Sequence, residues 1–244
     1  RFPKIFPGWW IVLTSGLLNF WGAGIHGYGF TALFKPISTE LGFSRAATSV
    51  AASIGRLEGG FEAPLTGWIT DRFGPRWIVL FGVFLMSLGL ILMNYIDSLW
   101  AFYVVWGVII GIGANIVYSV PLDTAIANWF VKKRGVAMST KWVISGLSGV
   151  IVTFVAWLII TQGWRMACVT GGVVLGLVGL PLVWLFVKQH RPEYYGLLPD
   201  GATAEAEAAD TRQMIDRGVR YAAEVQEVEF TLRQAMRTPT YWLL

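Results

Sequence analysis

Long apolar stretches dominate the chain up to residue 188. Five of them contain no Asp, Glu, Lys or Arg: residues 5–34, 77–96, 99–122, 142–164 and 166–187. A sixth stretch, 46–70, is equally apolar except for Arg56, Glu58 and Glu62. Because a helix needs about 20 mostly apolar residues to cross a bilayer, the pattern predicts six transmembrane helices, at residues 9–33, 46–70, 77–96, 99–130, 136–162 and 166–188.

Basic residues are distributed unequally between the two ends of these predicted helices. Nine lie at the first end and in alternate connections: Arg1, Lys4, Arg72, Arg76, Lys132, Lys133, Arg134, Lys188 and Arg191. The other side carries three, Lys35, Arg45 and Arg165. Because cytoplasmic loops are enriched in Lys and Arg, the sequence predicts a multi-pass cell-membrane protein with its N-terminus and its last segment in the cytoplasm.

Composition excludes several classes of protein. Of 244 residues, 55% are hydrophobic and 14% are charged, whereas soluble domains carry about 25% charged residues. The single cysteine, Cys168, rules out an internal disulfide and a multi-cysteine zinc site. We expect no metal, no cofactor and no nucleic-acid partner. An enzyme is also disfavoured, because the charged groups lie at mid-membrane positions rather than near an interface.

The chain divides into three predicted parts. Residues 1–188 form the six-helix transmembrane part. Residues 189–238 begin with turn-forming Pro and Gly and continue with a segment rich in Ala, Glu and Arg, which indicates a cytoplasmic linker. Residues 239–244 are the predicted start of a truncated seventh transmembrane helix. We therefore expect a C-terminal six-helix half that is missing from this chain.

The predicted connection between helices two and three carries a recognisable motif. It reads Gly67-Trp-Ile-Thr-Asp71-Arg72-Phe-Gly74-Pro75-Arg76. This motif resembles the loop signature of the major facilitator superfamily, Gly-x-Leu-Ala-Asp-Arg-x-Gly-Arg-Lys. The resemblance implies an all-α membrane fold, the six-helix N-terminal half of a major facilitator transporter with a cytoplasmic linker.

Three further segments are similar to one branch of that superfamily, the oxalate/formate antiporters and monocarboxylate carriers. These segments are Gly8-Trp9-Trp10, the run from Trp129 to Ala137, and the run from Arg191 to Gly201. The resemblance implies transport of small carboxylate anions, often together with protons. Many carriers of this branch have a lysine in the first helix, near the place that Tyr28 occupies here.

The resemblance also assigns a role to the loop motif. It implies that Asp71 and Arg72 form a charge relay that latches one conformation against the other half of the transporter. Gly67, Gly74 and Arg76 complete the motif. The alternative is that these basic residues only flank the membrane on its cytoplasmic side, around a tight turn.

Three charged residues lie within the second predicted helix. A charge at the bilayer centre costs at least about 2.5–3.5 kcal/mol on insertion scales, so such groups face a bundle interior or a wet cavity. Glu58 and Glu62 lie one turn apart on one helix face, and their mutual repulsion makes them candidates for carrying a proton. Arg56 is a candidate ligand or counter-ion for a carboxylate. The alternative is a structural charge network.

Helices one and four share a short pattern. His26 and Asn115 each follow Gly-x-Gly-x, and Tyr28 and Tyr118 follow them by two or three residues. Major facilitator halves contain three-plus-three inverted repeats, which make helices one and four partners. The resemblance therefore implies that these four residues line a shared cavity. The alternative is that each polar group bonds to a neighbouring helix.

Asp123 and Lys141 lie about two turns from the connection at 131–135, on consecutive antiparallel helices. The sequence predicts that they pair as a structural tie, with a gate as the alternative.

The sequence as a whole predicts a secondary active transporter of a small organic solute, which the resemblance makes a carboxylate. Its partners would be that solute, the lipid bilayer and the missing C-terminal half. Two alternatives stay open: a transporter of a non-carboxylate solute, and a receptor or scaffold of the same fold that no longer transports.

Overall fold

The computed structural model describes residues 6–118, 120–202 and 211–223, without the side chains of residues 52, 56–58, 60, 61, 63, 211–214, 222 and 223. These residues form six long helices and one shorter helix: α1, residues 8–40; α2, Arg45–Phe73; α3, Pro75–Tyr95; α4, Leu99–Trp129; α5, Arg134–Gln162; α6, Trp164–Phe186; and α7, Thr211–Ala223. The described part of the chain contains no β-strand. The predicted all-α fold class is thereby confirmed.

Some predictions fall outside this description. They concern Arg1, Lys4 and the start of a seventh helix at 239–244, together with the side chains of Arg56 and Glu58.

Glycine, proline and serine residues set the helix ends. Gly74 and Gly163 adopt φ values of +80° and +86°, and each alone separates two helices. Pro75 then occupies the first position of α3, where its missing N–H costs nothing. Ser44 and Ser98 cap α2 and α4 by accepting hydrogen bonds from the backbone N–H of Ala47 and Ala101. These short connections make neighbouring helices antiparallel.

Three of the long helices contain a π-helical segment. These segments are Ala23–Gly27 in α1, Tyr103–Ile110 in α4 and Leu175–Gly179 in α6. A π segment inserts an extra residue per turn and is frequent at functional sites. In α1 the segment is followed by a bend at Tyr28, after which the helix continues over Gly29–Glu40.

The bundle has a close-packed interior and an apolar exterior. α3 packs against α4 and α6, α2 packs against α4, and α1 packs against α4 and α5. Phe102 and Trp106 are at most 1% exposed between these helices. On the outside, Ile160 and Leu177 are 85% and 73% exposed. An apolar exterior of this kind suits contact with lipid or with another apolar surface.

Each predicted transmembrane range coincides with one long helix. Four of the helices, α3 to α6, are long and apolar enough by themselves to cross a membrane. The other two carry more polar groups, including Asn19 and His26 in α1 and Glu62 in α2. That these two also cross remains a prediction.

The bundle has two ends with different connections. We call one end the linker face, because residues 187–201 lie there beside the α2–α3 and α4–α5 connections and the start of α1. The opposite face carries the α1–α2, α3–α4 and α5–α6 connections.

Candidate functional site

His26 lies in the π segment of α1, where its ring meets two aromatic rings of α4. The ring centroids are 5.4 Å from Trp106 and 6.2 Å from Tyr118. Phe30, one turn further along α1, packs on Trp106 at 4.9 Å. Tyr28, in contrast, is 60% exposed at the bend. Of the four predicted cavity residues, the structure thus brings together His26 and Tyr118.

Asn115 points in another direction along α4. Its side-chain N–H donates a 3.1 Å hydrogen bond to the carbonyl oxygen of Gly55 in α2. The same amide also lies against Gly59, where an added Cβ would meet it at 3.2 Å. Asn115 therefore joins α4 to α2, which is the neighbouring-helix arrangement that the sequence left open.

The ammonium group of Lys141 is enclosed between α4 and α5. Its Nζ atom lies 2.5 Å from an Asp123 carboxylate oxygen and donates a 3.1 Å hydrogen bond to the backbone oxygen of Tyr118. The Lys141 side chain is 0% exposed, whereas that of Asp123 is 35% exposed. Solvent or a solute can therefore reach this pair at the Asp123 carboxylate and not at the Lys141 side chain.

The pair lies within the bundle rather than at its linker face. Asp123 is six residues before the end of α4 and Lys141 is seven residues after the start of α5. At 1.5 Å per residue, the pair is about 9–10 Å from the linker face. Tyr118 contacts both the pair and His26, because its backbone oxygen accepts a hydrogen bond from Lys141 and its ring lies beside the His26 ring. We call these four residues of α1, α4 and α5 the polar series: His26, Tyr118, Lys141 and Asp123.

Glu62 lies away from the polar series. It lines a groove of about 680 Å³ between α2, α3 and α4 whose other walls are mostly apolar and include Leu65, Phe81 and Ile116. Leu65 and Phe81 are 57% and 54% exposed at the edges of this groove. The residues that line this groove include no member of the polar series.

The loop motif forms the turn between α2 and α3 at the linker face. Asp71 and Arg72 are exposed, and the Arg72 guanidinium lies 5.5 Å from the centre of the Trp68 ring. Arg76 turns the other way and donates a 2.7 Å hydrogen bond to the backbone oxygen of Val187, at the end of α6. An added Cβ on Gly74 would meet Gln189 at 2.7 Å, so the linker passes directly over this turn.

A polar cavity of about 710 Å³ lies beside this turn and is lined by both the turn and the linker. Asp71 and Arg72 line it on one side, and His190 and Glu193 line it on the other. Glu193 is 8% exposed. Burial raises the pKa of the Glu193 carboxyl above its ordinary value, against the opposing effects of a backbone hydrogen bond and the charge of Arg191. The cavity thus holds groups of both signs next to the loop motif.

Arg165, on the opposite face, is a functional candidate that the sequence analysis did not single out. Its guanidinium forms an ion pair with Glu40, lies 3.4 Å from Asp97 and donates a 3.0 Å hydrogen bond to the backbone oxygen of Ile96. Trp164 donates a 2.6 Å hydrogen bond to the same Glu40 carboxylate. One side chain thereby joins the ends of α1, α3 and α6. The available signal was the Trp-Arg pair directly after Gly163.

Replacing Arg165 by Ala should loosen this face. Exposed ion pairs contribute about 0–1 kcal/mol, and a hydrogen bond from a charged group adds about 1.5–3 kcal/mol when it is shielded. Because Arg165 is 25% exposed, we expect Arg165→Ala to lower the free energy of unfolding by about 1–2 kcal/mol. Thermal unfolding of the full-length protein in detergent measures this. Arg45→Ala, an exposed arginine on the same face, is the control, and equal effects of the two changes would contradict the prediction.

Comparison with known proteins identifies the family. The family model described as Major Facilitator Superfamily matches residues 12–243. The oxalate:formate antiporter of Oxalobacter formigenes is 25% identical over 238 residues, covering 97% of this chain and 50% of that protein. The probable transporter MCH2 of Saccharomyces cerevisiae is 34% identical over 150 residues, 59% of this chain and 31% of that protein.

Monocarboxylate transporter 13 of Bos taurus is 29% identical over 163 residues, 66% of this chain and 37% of that protein. The chain therefore spans half or less of the length of these curated relatives. The family match nevertheless extends over almost all of it, from α1 past α7. The chain belongs to the major facilitator superfamily, a family of multi-pass membrane transporters rather than enzymes.

Proposed function

We propose that the full-length protein is a secondary active transporter that moves a small carboxylate by alternating access, coupled to protons or to exchange. The observation that carries this proposal is the polar series: a fully buried lysine paired with an aspartate, and a histidine whose ring lies beside the same Tyr118 that accepts a hydrogen bond from the lysine, all within mostly apolar helices. Ionisable groups within membrane helices are expensive and usually belong to a solute or ion pathway.

The charges of the polar series favour an anion. Lys141 supplies a positive charge that Asp123 balances, and Asp123 is the more exposed member of the pair. When Asp123 takes up a proton, the lysine needs another anionic partner, which a solute carboxylate can supply. Uptake of one proton is thereby linked to binding of one negative charge, and the pair serves as a gate as well as a tie.

Other candidates keep their proposed roles. Arg56 is proposed as a carboxylate ligand or counter-ion, and Glu58 and Glu62 as proton carriers. The α2–α3 turn is proposed as the conformational latch, with Gly67, Asp71, Arg72, Gly74 and Arg76. In this proposal the linker face is cytoplasmic, and a C-terminal half with six further helices completes the pathway.

Two relatives support the solute class by their names, oxalate:formate antiporter and monocarboxylate transporter 13. The competing candidate is a transporter of a non-carboxylate solute. It is supported by relatives such as the fujikurins efflux protein of Gibberella fujikuroi, 35% identical over 88 residues. A receptor or scaffold of the same fold is the third candidate, and no described contact favours it.

Uptake by the full-length protein in proteoliposomes tests the proposal. Vesicles preloaded with oxalate, formate or lactate should take up the same labelled carboxylate by exchange, and labelled glucose should stay at the level of protein-free vesicles. Uptake of glucose without any carboxylate exchange would favour a non-carboxylate solute. The absence of both would favour a receptor.

A further inference from the structure

Asp200 fixes the linker to the start of α5. Its two carboxylate oxygens accept hydrogen bonds from three consecutive backbone N–H groups, those of Val131 at 3.2 Å, Lys132 at 2.7 Å and Lys133 at 3.0 Å. The Tyr221 hydroxyl of α7 donates a fourth, at 3.2 Å. Asp200 is 7% exposed. The carboxylate therefore has donors from both the bundle and α7.

The geometry of this contact is specific. Asp200 has a φ of +61°, a conformation that Asp tolerates better than most residues, and Pro199 and Gly201 flank it in a tight turn. The three amides lie directly before α5, which begins at Arg134. Unpaired N–H groups at a helix start bind anions well. The sequence thus supplies an anion-binding loop and, 67 to 69 residues later, the anion that fills it.

Further contacts hold the rest of the linker in place. The indole N–H of Trp129 donates a 3.2 Å hydrogen bond to the backbone oxygen of His190. The Lys132 ammonium lies 4.2 Å from the centre of the Tyr221 ring. Glu193 packs so closely on α7 that an added Cβ at Gly218 would meet its Cγ atom at 2.7 Å. These contacts, together with those of Asp200, form what we call the linker clasp.

We propose that the linker clasp stays closed throughout the transport cycle, so that residues 187–201 and α7 move as one rigid body with the six-helix half. The chain to the second half then departs from α7 rather than from the end of α6. A shorter tether raises the effective concentration of the second half at the first. The statement that the clasp stays closed during transport rests on the proposed function. The clasp itself rests on the contacts above.

Distances between spin labels in the full-length protein test the clasp. Ser139 in α5 and Arg220 in α7 are exposed, and Cys168 is buried and stays unlabelled. We expect the Ser139→Cys and Arg220→Cys pair to give one narrow distance distribution that oxalate leaves unchanged. Asp200→Asn, which removes the charge and one acceptor oxygen, should broaden it about twofold by releasing the linker. A broad or oxalate-dependent distribution without Asp200→Asn would overturn the proposal.

A reference pair separates release of the linker from misfolding. Ser139→Cys with Arg45→Cys spans the bundle itself and should be unaffected by Asp200→Asn. An unchanged Ser139–Arg220 distribution in Asp200→Asn would show that another contact holds the linker and would overturn the role of Asp200.

A covalent cross-link between the bundle and α7 tests whether the clasp stays closed, even if Asp200→Asn fails to fold. Lys133→Cys and Arg220→Cys, joined by a flexible bismaleimide, should retain oxalate exchange within about twofold of the unlinked protein, because a permanently closed clasp needs no opening. Loss of exchange on cross-linking would overturn the proposal. If the unlinked protein exchanges no carboxylate at all, the proposed function fails, and the spin-label distances still decide whether the clasp holds.

Discussion

Asp123→Leu should be among the most destabilising single changes in the described part of this chain. It leaves the Lys141 ammonium, which is 0% exposed, without its carboxylate, so that the Tyr118 carbonyl and the Trp142 ring at 4.9 Å are its remaining described partners. Breaking a buried ion pair by removing one partner costs about 3–5 kcal/mol. Lys141→Met should cost less, about 1–3 kcal/mol, because the remaining Asp123 is 35% exposed and can be hydrated.

The double variant Asp123→Leu/Lys141→Met separates stability from function. It restores charge balance and should recover most of the lost free energy of unfolding, since an apolar pair often replaces a buried ion pair without cost. Under the proposed function it should remain inactive in carboxylate exchange. Thermal unfolding and exchange, measured on the same preparations of full-length protein, decide between the two roles. Full exchange by a stable double variant would reduce the pair to a structural tie.

The pairing of Asp123 and Lys141 illustrates which contacts a sequence can predict. The two residues lie six and seven positions from the ends of consecutive helices. Two antiparallel helices joined by a short connection bring residues at equal distances from that connection side by side. The pairing can therefore be predicted by counting residues from the helix ends. The helix ends at Gly74 and Gly163 could also be predicted, because each glycine lies between two predicted transmembrane helices. In the structure both adopt positive φ.

His26 and Asn115, predicted from a repeated pattern, show what such counting does not reveal. Both occupy equivalent places in a repeated pattern, yet His26 meets Trp106 and Tyr118 while Asn115 bonds to Gly55. π segments lie at Ala23–Gly27 and Tyr103–Ile110. Each rotates the following residues about the helix axis. The hydrophobic pattern does not reveal these insertions, because glycine and alanine suit several helix faces.

Contacts between distant segments could not be predicted from the sequence, for a different reason. Asp200 accepts hydrogen bonds from backbone N–H groups. Arg165 contacts a backbone oxygen together with two carboxylates, one at the end of α1 and one between α3 and α4. Backbone N–H and C=O groups are the same in every residue type except proline. The pattern of side chains therefore does not predict which of them form these contacts. The Pro199-Asp200-Gly201 turn was indicated by its Pro and Gly residues and by the resemblance, but its partner loop became apparent only once the bundle was assembled.

Gly113→Val should separate α3 from α4. An added Cβ at Gly113 would lie 2.6 Å from the backbone nitrogen of Met86 and 2.9 Å from the backbone oxygen of Gly82. Both are main-chain atoms, so no side chain can move aside, and one helix must shift. Small residues allow this kind of close helix approach in membrane proteins. Overpacking typically costs 1–3 kcal/mol and occasionally more, and we expect about 3 kcal/mol here because the clash is with backbone.

Gly146→Val is the matched control for this change. Gly146 ends the first part of α5, and an added Cβ there meets nothing within 4 Å. Removing a glycine from a helix gains up to about 1 kcal/mol in helix propensity, so the control should be neutral or slightly stabilising. Thermal unfolding of both full-length variants in detergent gives the comparison. Equal midpoints would mean that α3 and α4 do not touch at Gly113. α4 carries Tyr118 and Asp123, and the sulfur of Met86 in α3 lies 4.0 Å from the Tyr118 hydroxyl. A shift of α3 against α4 should therefore also reduce carboxylate exchange in Gly113→Val. Gly146→Val should leave exchange intact.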